Sequence, residues 1–352
     1  MTPRSRMAGQ VMSLGIGVVC GFLGYLLGLP LPWMLGAMLG NTVFAIAGAP
    51  IHGPTKLRPF VMPVIGVMLG SALTADLLSQ LGGWITTLLV LPIYLALAAT
   101  TSFLVYRRIG GYDTVTAFYA AMPGGLNEML LLGAEAGGDE RKIALAHAAR
   151  VLLVILFVAL FFGLFLGVRS GANGQNWIPL LAPSLLDYAF LLLAAVLGSW
   201  IGKLARLPAA LVFGPMIVSG ILHVTHFVEI APPSVFIITA QIVIGATIGT
   251  RFAGATLREV RRDISLALIA SSLMLIVATA FGLLIAWLAD MALSQAFLAF
   301  APGGLTEMAL LTLAMGQDVG YVSTIHVVRI TMVIAIAPLF FKLVASRLVR
   351  PD

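Results

Sequence analysis

The sequence predicts an all-α integral membrane protein made of two related halves, and three observations support this class. Of its 352 residues, 60% are hydrophobic and only 10% are charged, whereas soluble domains carry about 25% charged residues. Apolar stretches long enough for a hydrocarbon core, which takes about 20 helical residues, recur along the whole chain. A block at 122–129, MPGGLNEM, returns at 301–308 as APGGLTEM. We therefore expect two inverted-topology repeats of about five transmembrane helices each, every repeat with a Pro-Gly-Gly-broken re-entrant segment.

The duplication extends well beyond this block. The motif AHAARV at 146–151 returns as IHVVRI at 325–330, again 179 positions later. Three further pairs match at 178 or 179: LP at 29–30 with LP at 207–208, IG at 65–66 with IG at 244–245, and GS at 70–71 with GT at 249–250. Chance does not keep this register, so the chain is a tandem duplication. We place membrane repeat 1 at 8–168 and membrane repeat 2 at 180–348, together forming one transmembrane domain.

Each repeat contains five clear apolar segments and a doubtful one. In repeat 1 the clear segments are 11–29, 32–49, 60–73, 84–105 and 143–167. Their counterparts in repeat 2 are 186–207, 209–224, 235–248, 264–288 and 322–343. The doubtful segments, 114–133 and 293–312, are interrupted in the middle by Pro-Gly-Gly and carry a glutamate.

Positive residues indicate whether the doubtful segments cross, because Lys and Arg concentrate in short cytoplasmic loops. If each segment enters and leaves on one side, every repeat has five spans and the second repeat is inverted. All of the 20 Lys and Arg residues then lie on the cytoplasmic side except Arg169, outside, and Arg150 and Arg329, within the membrane. If the segments cross, the basic run at 251–262 falls outside. The charge pattern therefore favours ten spanning helices, two re-entrant segments and cytoplasmic termini.

The two Pro-Gly-Gly breaks predict a ligand site. A break frees backbone groups that lipid cannot satisfy, so it is tolerated only where protein or water surrounds it. The half-helix that follows each break directs its N–H groups and partial positive charge at that place, which suits an anion or a carboxylate. The glycines assigned to this site are Gly124, Gly125, Gly303 and Gly304. A simple kink or a tight hairpin without a ligand explains the same pattern.

Glu128 and Glu307 are the candidates for a coupling-ion site, since each falls in the first turn after a break. An uncompensated charge there costs about 3 kcal/mol, so the carboxyl group is expected to carry a proton or to bind Na⁺ with freed carbonyl oxygens. Asn127 and Thr306 precede them and offer neutral polar ligands. Capping of the half-helix, or pairing with an arginine, accounts for the glutamates equally well.

Arg150 and Arg329 stand three residues after His147 and His326, on the same face of a helix. An intramembrane arginine must find a partner. Capture of an anionic substrate is one interpretation; a fixed salt bridge to the glutamates, or snorkelling to a lipid headgroup, is the other. The histidines can relay protons or make structural hydrogen bonds.

Several classes of chemistry have no support in the sequence. Cys20 is the only cysteine, which excludes an internal disulfide or a cysteine-rich cluster. The histidines show no recognisable ligand set for a metal, and no Walker-type phosphate loop is present. The net charge of +6 is explained by orientation signals at the inner leaflet and requires no nucleic acid. We expect no cofactor, no metal and no catalytic residues.

The duplicated Pro-Gly-Gly-Leu-x-Glu-Met blocks, the Leu-Pro-x5-Gly-x-Met blocks and the His-x2-Arg pairs resemble the AbrB family of bacterial membrane proteins. The resemblance covers nearly the whole chain and both copies. Members of that family are labelled as regulators of gene expression or as ammonia monooxygenases. The resemblance thus implies a bacterial membrane protein, but a copper monooxygenase would need clustered metal ligands that these residues do not offer.

We interpret the chain as a secondary transporter of the bacterial inner membrane that moves a small anionic solute with H⁺ or Na⁺. A membrane sensor that regulates gene expression is the alternative, and a membrane monooxygenase is the third candidate. The expected partners are the lipid bilayer and the solute; a homo-oligomer is left open. Substrate identity and the direction of transport lie beyond the sequence.

Overall fold

A computed structural model describes residues 3–74, 77–165, 177–254 and 257–348, and this part of the chain is helical without strands. The helices of the first half are α1 (Pro3–Leu26), α2 (Pro32–Ile46), α3 (Arg58–Gly70), α4 (Leu77–Leu104), α5 (Thr114–Ala121), α6 (Leu126–Glu135) and α7 (Glu140–Phe165). Those of the second half are α8 (Leu185–Leu204), α9 (Ala210–Val224), α10 (Ser234–Gly249), α11 (Leu257–Leu288), α12 (Leu293–Phe300), α13 (Leu305–Ala314) and α14 (Val319–Leu348). Arg169 lies outside the described residues.

The two halves follow the same order of helices with closely matched lengths. The helices α5 and α12 each have 8 residues, and α6 and α13 each have 10. The residue before α2, Leu31, and the residue before α9, Ala209, both adopt a left-handed backbone with φ of 48°. This conformation is uncommon for residues other than glycine. Its occurrence at matching positions shows that the second helix of each half begins in the same way.

Within the residues that the structure describes, seven helices are long and apolar enough to cross a membrane, as expected of a multi-pass membrane protein. They correspond to α1, α4, α7, α8, α10, α11 and α14. The other three predicted spans correspond to α2 and α9, with 15 residues each, and α3, with 13. At about 1.5 Å per residue, these helices are shorter than the roughly 30 Å of a hydrocarbon core. The count of ten spans therefore stays a prediction.

The described chain divides into two compact units, and each contains parts of both halves. Unit 1 comprises Met1–Leu81, Ile155–Gly254 and Leu305–Ser323; unit 2 comprises Gly82–Val154, Ala255–Gly304 and Thr324–Asp352. Within unit 1, α1 packs on α2 and α8 packs on α9. A Cβ atom added to Gly36 would stand 2.1 Å from the carbonyl oxygen of Cys20, and one added to Gly214 would stand 2.1 Å from that of Gly198. Both pairs therefore depend on glycine for close backbone contact.

Unit 1 also joins the two halves, because α3 packs on α9 and α10 packs on α2. A Cβ atom on Gly66 would meet the Val212 carbonyl oxygen at 2.3 Å. One on Gly245 would meet the Met34 carbonyl oxygen at the same distance. Gly66 and Gly70, and likewise Gly245 and Gly249, are four residues apart, a GxxxG spacing that permits such close packing of helices. Each half thus contributes one helix that packs on a helix of the other half.

In unit 2 the equivalent helices α4 and α11 run antiparallel. The ring of Tyr94 lies 5.6 Å from that of Phe281, near the end of α11. At the opposite end, Arg262 donates to the carbonyl oxygen of Gly110, and the Tyr112 hydroxyl donates to Asp263 Oδ1 at 2.9 Å. The two helices therefore run in opposite directions. The basic residues that follow α4 and those near the start of α11 lie at the same end of the pair.

Helices α5 and α6 form an antiparallel hairpin within unit 2. A Cβ atom on Gly133 would stand 3.3 Å from Tyr119 Cβ, so the second helix lies alongside the first. The backbone N–H of Asp139, after the end of α6, donates to Thr116 Oγ1 near the start of α5 at 2.8 Å. The end of α6 thus lies beside the start of α5.

Candidate functional site

The first Pro-Gly-Gly break separates α5 from α6 by four residues. Met122, which ends α5, and Gly125, which precedes α6, both have extended backbone, with ψ of 129° and 138°. Extended residues cannot continue the helical ladder, so the last carbonyl groups of α5 have no partner within the helix. They need donors from elsewhere in the protein.

Arg150 and His147, both on α7, supply those donors. Arg150 Nη1 donates to the carbonyl oxygen of Met122 at 2.9 Å, and His147 Nε2 lies 2.9 Å from that of Tyr119. The other guanidinium nitrogen, Nη2, lies 2.8 Å from His147 Nδ1. A cation at the C-terminal end of a helix also interacts favourably with the helix dipole. The His-x2-Arg motif of the first half therefore caps the end of α5.

The second break is held in the same way by α14. His326 Nε2 lies 2.9 Å from the carbonyl oxygen of Leu298, and Arg329 Nη1 donates to that of Ala301 at 2.7 Å. Arg329 Nη2 additionally donates to the carbonyl oxygen of Gly303 at 2.8 Å and lies 3.2 Å from His326 Nδ1. Arg329 thus fixes the break on both sides of Pro302.

The bonding pattern assigns the tautomer of both histidines. Arginine has only donors, so the Nδ1 atoms of His147 and His326 must accept from it. The Nε2 atoms must then carry the proton and donate to the carbonyl oxygens of Tyr119 and Leu298. In each histidine both ring nitrogens are hydrogen-bonded while the ring is neutral. This arrangement agrees with a structural hydrogen bond, which was the alternative to a proton relay.

The two arginines are buried without a carboxylate partner. Arg150 is 4% exposed and Arg329 is 2% exposed. Within the described part of the chain neither arginine forms an ion pair, so Arg150 makes no salt bridge to Glu128. The Nε atom of each arginine is buried and has no hydrogen-bond partner.

The two breaks meet on α14 within unit 2. Four residues after Arg329, Val333 reaches the first break, where a Cβ atom added to Gly124 would stand 2.9 Å from Val333 Cγ1. Four helical residues advance by about 6 Å. A single turn of α14 therefore contacts the second break through Arg329 and the first through Val333.

The glutamates differ between the halves. Glu128 is partly exposed, and its carboxylate lies close to Gly125, the residue that precedes α6. Glu307, in unit 1, is only 8% exposed. Thr306 is buried beside it in the chain. The side chain of Asn127 lies outside the described residues.

Of the predicted site residues, the structure brings Gly124, Arg150 and His147 together at the first break, and Gly303, Arg329 and His326 together at the second. Gly125 and Gly304 directly precede α6 and α13. The sequence did not predict Tyr94, whose hydroxyl donates to the carbonyl oxygen of Phe300 at 2.5 Å. Its counterpart in the duplication is Leu273, so the repeat gave no signal. Among the described residues, no group of three or more His, Cys, Asp and Glu side chains is arranged to hold a metal ion.

Comparison with known proteins places this architecture in a family. The family model described as transition state regulatory protein AbrB matches residues 33–345. A Bacillus subtilis (strain 168) protein, "Uncharacterized protein YhjN", is 25% identical over 94% of this chain and 91% of its own length. An Escherichia coli (strain K12) protein, "Putative regulator AbrB", is 24% identical over 96% of each chain. With the matching region spanning both Pro-Gly-Gly breaks and both His-x2-Arg pairs, this chain belongs to the AbrB family.

Proposed function

We propose that this protein is a secondary transporter that moves a small anionic solute, coupled to H⁺ or Na⁺, across the bacterial inner membrane. The observation that carries the proposal is the meeting of the two breaks on one turn of α14. Interrupted helices from two repeats that converge on one place, within apolar surroundings, are typical of transporter binding sites.

Two features of unit 2 support inverted repeats. Equivalent helices α4 and α11 run antiparallel, as a two-fold axis in the membrane plane requires, and their basic ends lie together. The hairpin of α5 and α6 supports a re-entrant segment, because its two ends lie on one side. With ten spans, both termini are then cytoplasmic, and one central site can open alternately to either face.

In this proposal the acidic residues bind the coupling cation and the arginines bind the solute, and each half of the chain supplies both. Glu128 and Glu307, with Asn127 and Thr306, bind the coupling cation. The solute is held by the N-termini of α6 and α13, through the break glycines, and by the arginines that cap α5 and α12. The capping bonds to Met122, Ala301 and Gly303 are the ones that an anion would compete for, since carboxylates bind guanidinium more strongly than neutral carbonyl groups do.

The proposal is tested by flux in liposomes. Purified protein is reconstituted, and uptake from a mixed pool of small organic acids and amines is measured under an imposed proton or sodium gradient. We expect gradient-driven uptake in the wild type and its loss in Glu128→Gln/Glu307→Gln. The matched control is Glu140→Gln, at an exposed glutamate in the first turn of α7. Coupled flux that survives neutralisation of both glutamates overturns the proposal.

A sensor that regulates gene expression is the second candidate, favoured by the description of the family model and by the name of the Escherichia coli relative. Such a protein would bind its ligand at the same breaks and signal through cytoplasmic loops such as 251–263. Binding measured by thermal stabilisation, without flux of the same compound in sealed liposomes, would establish the sensor in place of the transporter.

A further inference from the structure

Resting on the proposed function, we infer that the solute carries two anionic groups, one for Arg150 and one for Arg329, and so belongs to the dicarboxylate class. The inference starts from a charge imbalance in unit 2. Both guanidinium groups are almost completely buried, and neither forms an ion pair within the described residues. Burying a charge without a partner is costly, so a site with two such cations favours anions.

The neighbouring histidines cannot change this balance. Each accepts a hydrogen bond from its arginine through Nδ1 and donates through Nε2, so His147 and His326 are neutral while the bonds hold. They position the arginines and add no charge of either sign. Each break therefore has one positive charge, that of its arginine.

Helix ends compensate the arginines only in part. The C-terminal end of α5 or α12 contributes about half a negative charge. The N-terminal end of α6 contributes about half a positive charge across the first break, where the two contributions largely cancel. The carboxylate of Glu128 lies close to the start of α6 instead of pairing with Arg150. The arginine charge is therefore not compensated by Glu128.

Both arginines have a donor to spare for the solute. Their Nη atoms bond to backbone carbonyl oxygens and to histidine, whereas the Nε atom of each has no partner. A third unpartnered group, the Ser102 hydroxyl, lies on the buried stripe of α4 that also carries Tyr94 and Ala98. These three positions are spaced four apart and share one face. The Tyr94 hydroxyl at one end of this stripe bonds to α12 beside the carbonyl group that Arg329 holds.

The arrangement explains why a single anionic group is insufficient. The two cations belong to different breaks, and the breaks are connected through one turn of α14. A monoanion would neutralise one arginine and leave the other buried and charged. A ligand with a carboxylate at each end pairs with both, and the duplication supplies the same guanidinium chemistry for both ends.

The test compares anions of equal length in reconstituted liposomes. Uptake of dicarboxylates from malonate to adipate is measured beside the monocarboxylates of the same carbon number, under the gradient that drives transport. We expect the best dicarboxylate to be taken up at least tenfold faster than its paired monocarboxylate. Arg150→Gln and Arg329→Gln should each reduce that ratio to near one or invert it, while Arg108→Gln, at an exposed residue, leaves it unchanged.

Substitutions of buried arginines can prevent folding, so Arg150→Lys and Arg329→Lys are measured alongside. Lysine keeps the charge and should retain the dicarboxylate preference with a weaker apparent affinity. Equal uptake of paired mono- and dicarboxylates by the wild type overturns the inference and leaves the transporter standing. Gradient-driven uptake of amines in place of any acid overturns the inference and the anionic part of the proposed function. The absence of flux for every compound overturns the proposed function itself.

Discussion

The two Pro-Gly-Gly breaks are built alike, yet the second is held more firmly than the first. Arg150 bonds to one break carbonyl oxygen, that of Met122, whereas Arg329 bonds to two, those of Ala301 and Gly303. The acids differ in the same direction, since Glu128 is partly exposed and Glu307 is buried. Both halves thus share the capping of the broken helix, whereas the glutamate after the first break is more exposed than the one after the second.

This difference separates two roles that the sequence presents together. The His-x2-Arg pair is retained with nearly the same bonds in both halves, which is expected of a group that holds backbone carbonyls in an apolar interior. The glutamates occupy equivalent positions with unequal burial, which is expected of groups with different tasks. In the proposed transporter, the first break is therefore the one that opens more easily.

The largest expected effect is on stability after loss of an arginine. Arg329→Gln removes two charged hydrogen bonds to buried carbonyls, each worth about 1.5 kcal/mol, so unfolding should become easier by about 3 kcal/mol. Arg150→Gln removes one and should cost about half as much. Unfolding by titration with a denaturing detergent, followed by circular dichroism, measures both. An equal or larger loss for the Arg150 variant would contradict the ranking of the two breaks.

A smaller effect is expected where the first break contacts α14. Gly124→Ala would bring a methyl group 2.9 Å from Val333 Cγ1, and such overpacking costs about 1–3 kcal/mol. Adding Val333→Ala should recover most of the loss by making room. The matched control is Gly15→Ala, because a Cβ atom there meets nothing within 4 Å. Loss of stability in the double variant equal to that in Gly124→Ala would mean that the breaks are not joined at this contact.

The smallest effect concerns the starts of the two broken helices. Asp113 caps α5 by accepting from the Thr116 backbone N–H at 2.8 Å, whereas its counterpart Ala292 provides no side-chain cap for α12. Asp113→Ala should cost about 1 kcal/mol, and Ala292→Asp should gain a comparable amount. Thermal unfolding of the two variants compares them directly, and a loss from Ala292→Asp would show that the start of α12 cannot accept a cap.

The contribution of Asp113 should also depend on pH. Burial alone would raise the pKa of the Asp113 carboxyl, but hydrogen bonds from Thr116 and the charge of Lys142 lower it below its ordinary value. A group with a lowered pKa in the folded state stabilises the protein above its ordinary pKa, and that stabilisation is lost as the pH falls through the folded value. The difference between wild type and Asp113→Ala should therefore be full at neutral pH and disappear below about pH 4.

Much of the helical order was predictable, because apolar length and a repeated block determine it. The predicted segments 84–105 and 264–288 correspond to α4 and α11, and the breaks fall at Pro-Gly-Gly as expected. Asp139 and Asp318, at equivalent positions of the two halves, accept hydrogen bonds from the backbone N–H groups of Lys142 and Tyr321 at the starts of α7 and α14. These features depend on local chemistry, which a sequence displays directly.

The partners of the intramembrane arginines were not predictable in the same way. A sequence shows that Arg150 needs an acceptor, and it offers Glu128 as the obvious one. The acceptor is instead the carbonyl oxygen of Met122. Every residue has this backbone group, so the residue type at this position does not indicate the contact. The exchange of helices between halves was equally hidden, since glycine spacing predicts close packing and leaves the partner helix undefined.

That exchange of helices has a consequence for how the protein is made. The grooves of α2 are filled by α10, and those of α9 by α3, with main-chain carbonyls of one half lying against glycines of the other. During synthesis, the glycine surfaces of the first half are therefore expected to remain uncovered in the bilayer until the second half has been inserted. Two half-length chains produced together therefore have the surfaces to assemble into one protein, whereas either half alone lacks the partner that completes its packing.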